Sequence, residues 1–256
     1  MITVIGCGNP VRADDGVGVW VVQQLLPIYR DDAQVRVLDA GTSGTEVLFQ
    51  ARGSDALIIV DAAESGSQPG QIFEVPGAEL ANAGQQRPGA HGFRWDHALY
   101  AGRAIFGKDF PAEKVSVFLV EALDLAFGME LSEPVATAAL RVVPRVRQRI
   151  ESYRPCAVQV SDGNIFVSGD LYRRHFEAIA AVGLVRSERQ VCIFPLRKVE
   201  HGGLLLKQRN ASGDRIVHAQ GFFRDNGLND AADEQSQAVW DIEKSALVMN
   251  VDRLVI

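Results

Sequence analysis

The chain has 256 residues, enough for one large domain or two modest ones. Hydrophobic residues make up 47% and charged residues 23%, which supplies a packed core and excludes intrinsic disorder and low-complexity architecture. A net charge of −6 argues against a nucleic-acid binder, which would carry a basic face, and no run reaches the ~20 apolar residues of a membrane span.

The opening Met1-Ile2-Thr3-Val4-Ile5-Gly6 has neither a basic leader nor a signal-type apolar core. Three cysteines (Cys7, Cys156 and Cys192) stand far apart, odd in number and without a CxxC pair. The expectation is a protein of the reducing cytoplasm. Through residue 155, short apolar runs at 2–5, 35–38, 56–60 and 115–119 read as strands buried on both faces. Helical spacing occupies 17–26, 44–52 and 97–106, and a long amphipathic stretch runs over 133–153 with Val135, Ala139, Val142, Val143, Val146 and Ile150 on one face. This alternation predicts an α/β domain over 1–155. It is a three-layer, mostly parallel twisted sheet with helices on both faces.

After Pro155 the texture changes, and a small α+β domain over 156–256 is expected. Runs 157–161 and 164–168 flank Asp162-Gly163 and predict a hairpin with a two-residue turn. Asp170 opens a helix expected through residue 181, strands are expected at 190–199, 204–209 and 215–223, and the polar 229–237 reads as a loop before strand character at 238–251. Phe194, Leu204 to Leu206, Phe222 and Phe223 read as its core, and His201 and His218 as surface residues. Residues 1–155 carry 14 basic and 19 acidic side chains, and 156–256 carry 12 and 13, so neither half is an electrostatic tail.

Ligands of an open α/β sheet bind beyond the carboxyl ends of its strands, and four segments there carry unusual polar residues. The first is Gly6-Cys7-Gly8-Asn9-Pro10, followed by Asp14-Asp15-Gly16-Val17-Gly18. One aspartate suffices to cap the next helix, the reading for Asp14, which leaves Asp15 for function. A dinucleotide turn fails on spacing, because the third glycine of GxGxxG would fall at Val11. The second segment is Asp39-Ala40-Gly41-Thr42-Ser43-Gly44, which suits a turn lying close to a substrate backbone. In the third, Asp61 directly follows Ile58-Ile59-Val60, where a carboxylate is costly unless paired, hydrogen-bonded or metal-bound. The fourth holds His91 on a Gly/Pro-rich loop, with His97 a weaker candidate six residues on. Asp15, Asp61 and His91 together make an O,O,N set suited to a divalent metal with open positions.

In this order and spacing, Gly6-x-Gly8-Asn9, Asp14-Asp15-Gly16-x-Gly18, Asp39-x-Gly41-Thr42, Asp61-Ala62, His91 and the late Gly128-Met129-Glu130-Leu131-Ser132 resemble the hydrogenase maturation proteases. The resemblance runs over about residues 1–150. It implies a doubly wound α/β fold and an endopeptidase that removes the C-terminal extension of a nickel–iron hydrogenase large-subunit precursor. Its metal-binding positions map onto Asp15, Asp61 and His91. The metal it implies is the nickel already inserted in the precursor, used as a recognition device, and no permanent organic cofactor. Implied partners are that precursor and, further, hydrogenase assembly factors, with no nucleic acid and no membrane. The chain departs from the family pattern in having Asp15 where glutamate is frequent, His97 where an acid is frequent, no proline after Glu121, and the segment after Pro155.

On this reading the cation orients and polarises the scissile carbonyl and activates a water. Asp15, Asp61 or Asp39 serves as general base. There is no GxSxG elbow and no HExxH motif, and Cys7 is better explained as a small residue in a tight turn than as a nucleophile. Two other classes compete: a non-catalytic binding or checkpoint module for a nickel-loaded precursor, and a nucleotide-linked α/β enzyme. The segment 156–256 is expected to help hold the substrate or an assembly factor.

Overall fold

The computed structural model describes residues 1–77, 79, 95–111, 114–154, 156–197, 203–242 and 244–255. His91 with its loop, Pro155 and His201 lie outside the described residues. The chain divides into two units, Met1–Ile150 and Glu151–Ile256.

In the first unit the order is β1 (Ile2–Cys7), α1 (Val17–Tyr29), β2 (Val35–Gly41), α2 (Gly44–Ala51), β3 (Ala56–Ala63), β4 (Ile72–Pro76), α3 (Trp95–Phe106), β5 (Val115–Glu121) and α4 (Glu133–Tyr153), the last extending past the unit boundary. The sheet runs β2-β1-β3-β5-β4. All neighbours are parallel except β4, which pairs antiparallel with β5. β1, β3 and β5 are central and buried on both sides, which explains their unbroken apolar runs. The edge strand β4 escaped the sequence reading because it is short, half exposed and closed by Pro76, all features that an edge tolerates.

Helices cover both faces. Ile5, Leu57, Ile59, Val115 and Val117 pack with Val47 and Leu48 of α2 and with Trp95, Ala98 and Leu99 of α3. The alternate residues face α1 and α4. Gly6 pairs with Val60 in register, and the Gly6 position meets α1 at Gly18 and Val22. Glu74 pairs with Phe118 and takes an ion pair from Arg149 of α4. On α4, Val135, Ala139, Val142, Val146 and Ile150 are fully buried as expected, while Val143 is half-buried.

The second unit is not an α+β domain. It is a closed antiparallel barrel with two short helices, α5 (Gly169–His175) and α6 (Gln220–Asp225). Its strands are β6 (Cys156–Ser161), β7 (Asn164–Val167), β8 (Ala181–Ser187), β9 (Gln190–Leu196), β10 (Leu204–Gln208), β11 (Arg215–His218), β12 (Asp233–Asp241) and β13 (Ala246–Asn250). They run β10-β11-β7-β6-β12-β13-β9-β8 and close through β8 against β10. The hairpin at Asp162-Gly163 forms as expected, both residues at positive φ as a type I′ turn requires. Where a helix was expected through residue 181, α5 stops at His175 and Ala181 already begins β8. The polar segment read as a loop supplies much of β12, which buries Ser236 and Ala238, packs Trp240 against the barrel core, and leaves Asp233, Gln235, Gln237 and Val239 exposed. A barrel strand needs only one inward face, and here Ser236, Ala238 and Trp240 supply it. Leu206 and Phe223 are buried in the barrel core, but Leu205 alternates outward and is exposed.

Candidate active site

The two glycines that frame Asp15 act through close backbone approach. A Cβ on Gly18 would lie 2.2 Å from the Val60 carbonyl oxygen and 2.3 Å from that of Cys7, so α1 can start against β1 and β3 only without a side chain there. Gly8, at φ +116°, has no room for a Cβ, which would sit 1.7 Å from the Asp15 carbonyl oxygen. The same position lies 3.6 Å from Asp61 Oδ1. The GxG turn therefore lets the Asp15 backbone and the Asp61 carboxylate approach the same glycine. The Asn9 N–H donates to Asp15 Oδ2 at 3.0 Å and fixes that carboxylate at the mouth of a cleft of about 360 Å³.

Asp61 ends the apolar run of β3 on the face that packs against α3. It is 6% exposed, and the Trp95 indole N–H donates to its Oδ2 at 2.6 Å. The Ala62 N–H donates to Oδ1 at 2.9 Å. Trp95 thus stands at the cleft wall and orients the carboxylate beneath it. The sequence reading missed Trp95; the signal available was an aromatic with a polar N–H at a helix start on the ligand side of the sheet.

Two further buried carboxylates build the walls. Asp14, fully buried, does not cap the following helix as expected. Its Oδ2 accepts from the N–H groups of Leu123 at 2.8 Å and Asp124 at 2.9 Å and from the Ser132 hydroxyl at 2.8 Å, and its Oδ1 accepts from the Ser132 N–H at 2.7 Å. The segment after β5, which contributes Leu125 to the cleft, is held by these bonds. Glu121, 2% exposed, plays the matching part opposite. Its Oε1 accepts the N–H groups of Ser65, Gly66 and Ser67 at 2.8, 2.8 and 3.0 Å, and its Oε2 accepts the Ser65 hydroxyl at 2.7 Å. Burial opposes ionisation of Glu121, but the Ser65 hydroxyl and the backbone donors outweigh it and hold the carboxyl below the usual glutamate range. A carboxylate closing an apolar strand was the signal that pointed to Asp61, and it marks Glu121 equally.

Asp39 does not join this group. It is exposed, its Oδ1 accepts the Gly41 N–H at 2.7 Å, and it is not among the described residues lining the cleft. His97 is half-buried on α3, with Nδ1 3.3 Å from Asp96 Oδ1. Cys7 is buried within β1. Among the described residues no group of three metal-ligating side chains converges; His91, the third member expected, lies outside them. A larger depression of about 530 Å³, lined by Asp55, Arg103, Lys108 and Lys114, sits where β3 and β5 begin, the wrong end of the sheet for a ligand crevice. No helix among the described residues is long and apolar enough to cross a membrane. The three cysteines form no disulfide among the described residues.

The family model for hydrogenase maturation proteases matches residues 19–149, ending one residue before the boundary of the first unit. The hydrogenase expression/formation protein HupM of Azotobacter chroococcum is 35% identical over 137 residues, 52% of this chain and 64% of that protein. The corresponding protein HoxM of Azotobacter vinelandii is 32% identical over 166 residues, 64% of this chain and 78% of its own length. Among solved structures, an endopeptidase from Escherichia coli aligns with a TM-score of 0.50 at 26% identity, covering 59% of this chain and 91% of that one. With the family model spanning half the chain and a relative 32% identical over 78% of its own length, this chain belongs to the hydrogenase maturation protease family.

Proposed function

We propose that this protein is an endopeptidase that removes the C-terminal extension of a nickel–iron hydrogenase large-subunit precursor after nickel has been inserted. The observation that carries the reading is Asp61. It is a buried carboxylate closing the central strand, hydrogen-bonded by the Trp95 indole and close to Gly8, whose turn also abuts the backbone of the more exposed Asp15. A hard or borderline cation presented by the substrate suits a carboxylate held in this way by the Trp95 indole and the Ala62 N–H.

In this mechanism Asp15, Asp61 and His91 engage the nickel of the bound precursor and so admit only loaded substrate. The precursor chain then lies between the two walls pinned by Asp14 and Glu121. Asp15, the more accessible carboxylate, accepts a proton from a water as its oxygen attacks the scissile carbonyl carbon. That proton passes to the departing nitrogen when the C–N bond breaks, leaving a new carboxylate on the subunit and a free amine on the released peptide. Asp39, held by its own turn outside the cleft, serves substrate placement rather than proton transfer. On this reading the reaction takes place in the cytoplasm, and assembly factors that deliver the precursor are a second class of partner.

The test is cleavage of the purified precursor, with and without nickel, by wild type and by Asp15→Asn, Asp61→Asn and His91→Ala. The expected result is a C-terminal mass loss only with loaded precursor, reduced at least a hundredfold in each variant, with melting unchanged. Adding assembly factors to the same assay measures whether they change the rate. A precursor that binds but is never shortened would instead make this a non-catalytic checkpoint module.

A further inference from the structure

The wall that follows β5 carries apolar side chains that the fold does not use. Phe127 is 92% exposed and Met129 is 82% exposed, the highest values among the large hydrophobic residues described. A slack loop would fold such side chains inward, but this one is bonded in place. The Ala13 N–H donates to the Gly128 carbonyl at 2.7 Å, and the Gly128 N–H donates to the Val11 carbonyl at 3.1 Å. The Arg12 guanidinium donates twice to the Leu125 carbonyl, at 3.1 and 3.0 Å, and the buried Asp14 holds both ends of the segment. Val11, on the turn bonded to Gly128, is 45% exposed. Val11, Phe127 and Met129 therefore form a ledge held out to solvent, and it is continuous with the cleft through Leu125, two residues before Phe127.

We propose that this ledge docks an extended apolar segment of the precursor adjoining the bond to be cut. The proposal rests on the reading of the neighbouring cleft as the proteolytic site. Three side chains expose at most a few hundred Å², far below the roughly 1,200 Å² that a stable protein pair buries. That area suits two or three residues of a peptide whose next residues occupy the cleft. Fixing the ledge beforehand spares the substrate the entropic cost of ordering it.

The test uses the full chain carrying Phe127→Ser with Met129→Ser, and Ile105→Ser, exposed at the far end of α3, as the control. Binding of nickel-loaded precursor and steady-state cleavage are both measured. The expected result is a rise in Kd and KM on the order of tenfold or more in the double variant, kcat within about twofold, and no change in the control. Unchanged Kd and KM, or an equal rise in the control, would overturn the ledge. So would a wild-type dimer that the double variant dissolves, since a second copy would then be the occupant. If wild type binds precursor without cleaving it, the protease reading fails while the Kd comparison still judges the ledge. If wild type binds no precursor, both fall.

Discussion

Asp14 offers a quantitative check on how the cleft is built. Its carboxylate takes four hydrogen bonds, all from a segment more than a hundred residues along the chain. A hydrogen bond to a charged group contributes about 1.5–3 kcal/mol, so a simple sum would be ~6–12 kcal/mol. That sum is too large, because the segment is exposed on its outer side and its freed N–H groups can turn to water. We expect Asp14→Ala to lose about 3–5 kcal/mol, the usual range for removing one partner of a buried charged network. For a unit of about 150 residues this lowers Tm by roughly 6–20 °C, taking about 2–4 °C per kcal/mol. Asp14→Asn should be intermediate, since its amide oxygen can keep the three bonds at Oδ2 while its NH2 group opposes the Ser132 N–H. Ser132→Ala, which loses only the hydroxyl contact, should cost about 1 kcal/mol. The assay is calorimetry of the full chain, resolving the transition of the first unit, joined to amide exchange at Leu123, Asp124 and Ser132. Loss of protection at those three amides in Asp14→Ala, with central β3 protected, is the expected pattern. An Asp14→Ala protein melting within about 1 kcal/mol of wild type, with those amides still protected, would refute the wall-pinning role.

Two further outcomes follow from other groups. Trp95→Phe keeps an aromatic ring but removes the indole N–H that donates to Asp61 Oδ2 at 2.6 Å; kcat for precursor cleavage should fall about ten- to hundredfold with a smaller change in KM, and an unchanged kcat would show that the indole does not orient the carboxylate. In the barrel, His175 stacks on Trp240 with ring centroids 4.4 Å apart, and burial, with the neighbouring Arg174 charge, lowers its pKa from 6.5 to about 4. The unfolded chain then binds the extra proton first, so the barrel should lose stability as pH falls from about 6.5 to about 4 and lose none on this account above that window. His175→Gln should flatten that slope in denaturant midpoints followed by exchange in β12, and a slope equal to wild type would place its origin elsewhere.

The sequence by itself was enough for the α/β character of the first unit and for the region of its site. Strands buried on both faces carry unbroken apolar runs, and a carboxylate that ends such a run, as Asp61 does after Ile58-Ile59-Val60, is visible without coordinates because its burial needs a reason. The glycine spacing around Asp15 was legible too, since Gly8 and Gly18 answer to local backbone approach. The tasks of Asp14, Glu121 and Trp95 were decided only by tertiary structure. Asp14 reads locally as a helix cap, and its partners at Leu123, Asp124 and Ser132 are far away in sequence; Glu121 binds a turn 54 to 56 residues upstream, and Trp95 meets Asp61 34 residues away. Such bonds follow from which strands lie side by side, and no local pattern encodes that adjacency. The barrel makes the same point at the level of fold. Its hairpin turn was readable from Asp162-Gly163, but closure depends on β8 meeting β10 and on a polar β12 completing the ring, pairings set by backbone hydrogen bonds that are indifferent to side-chain type.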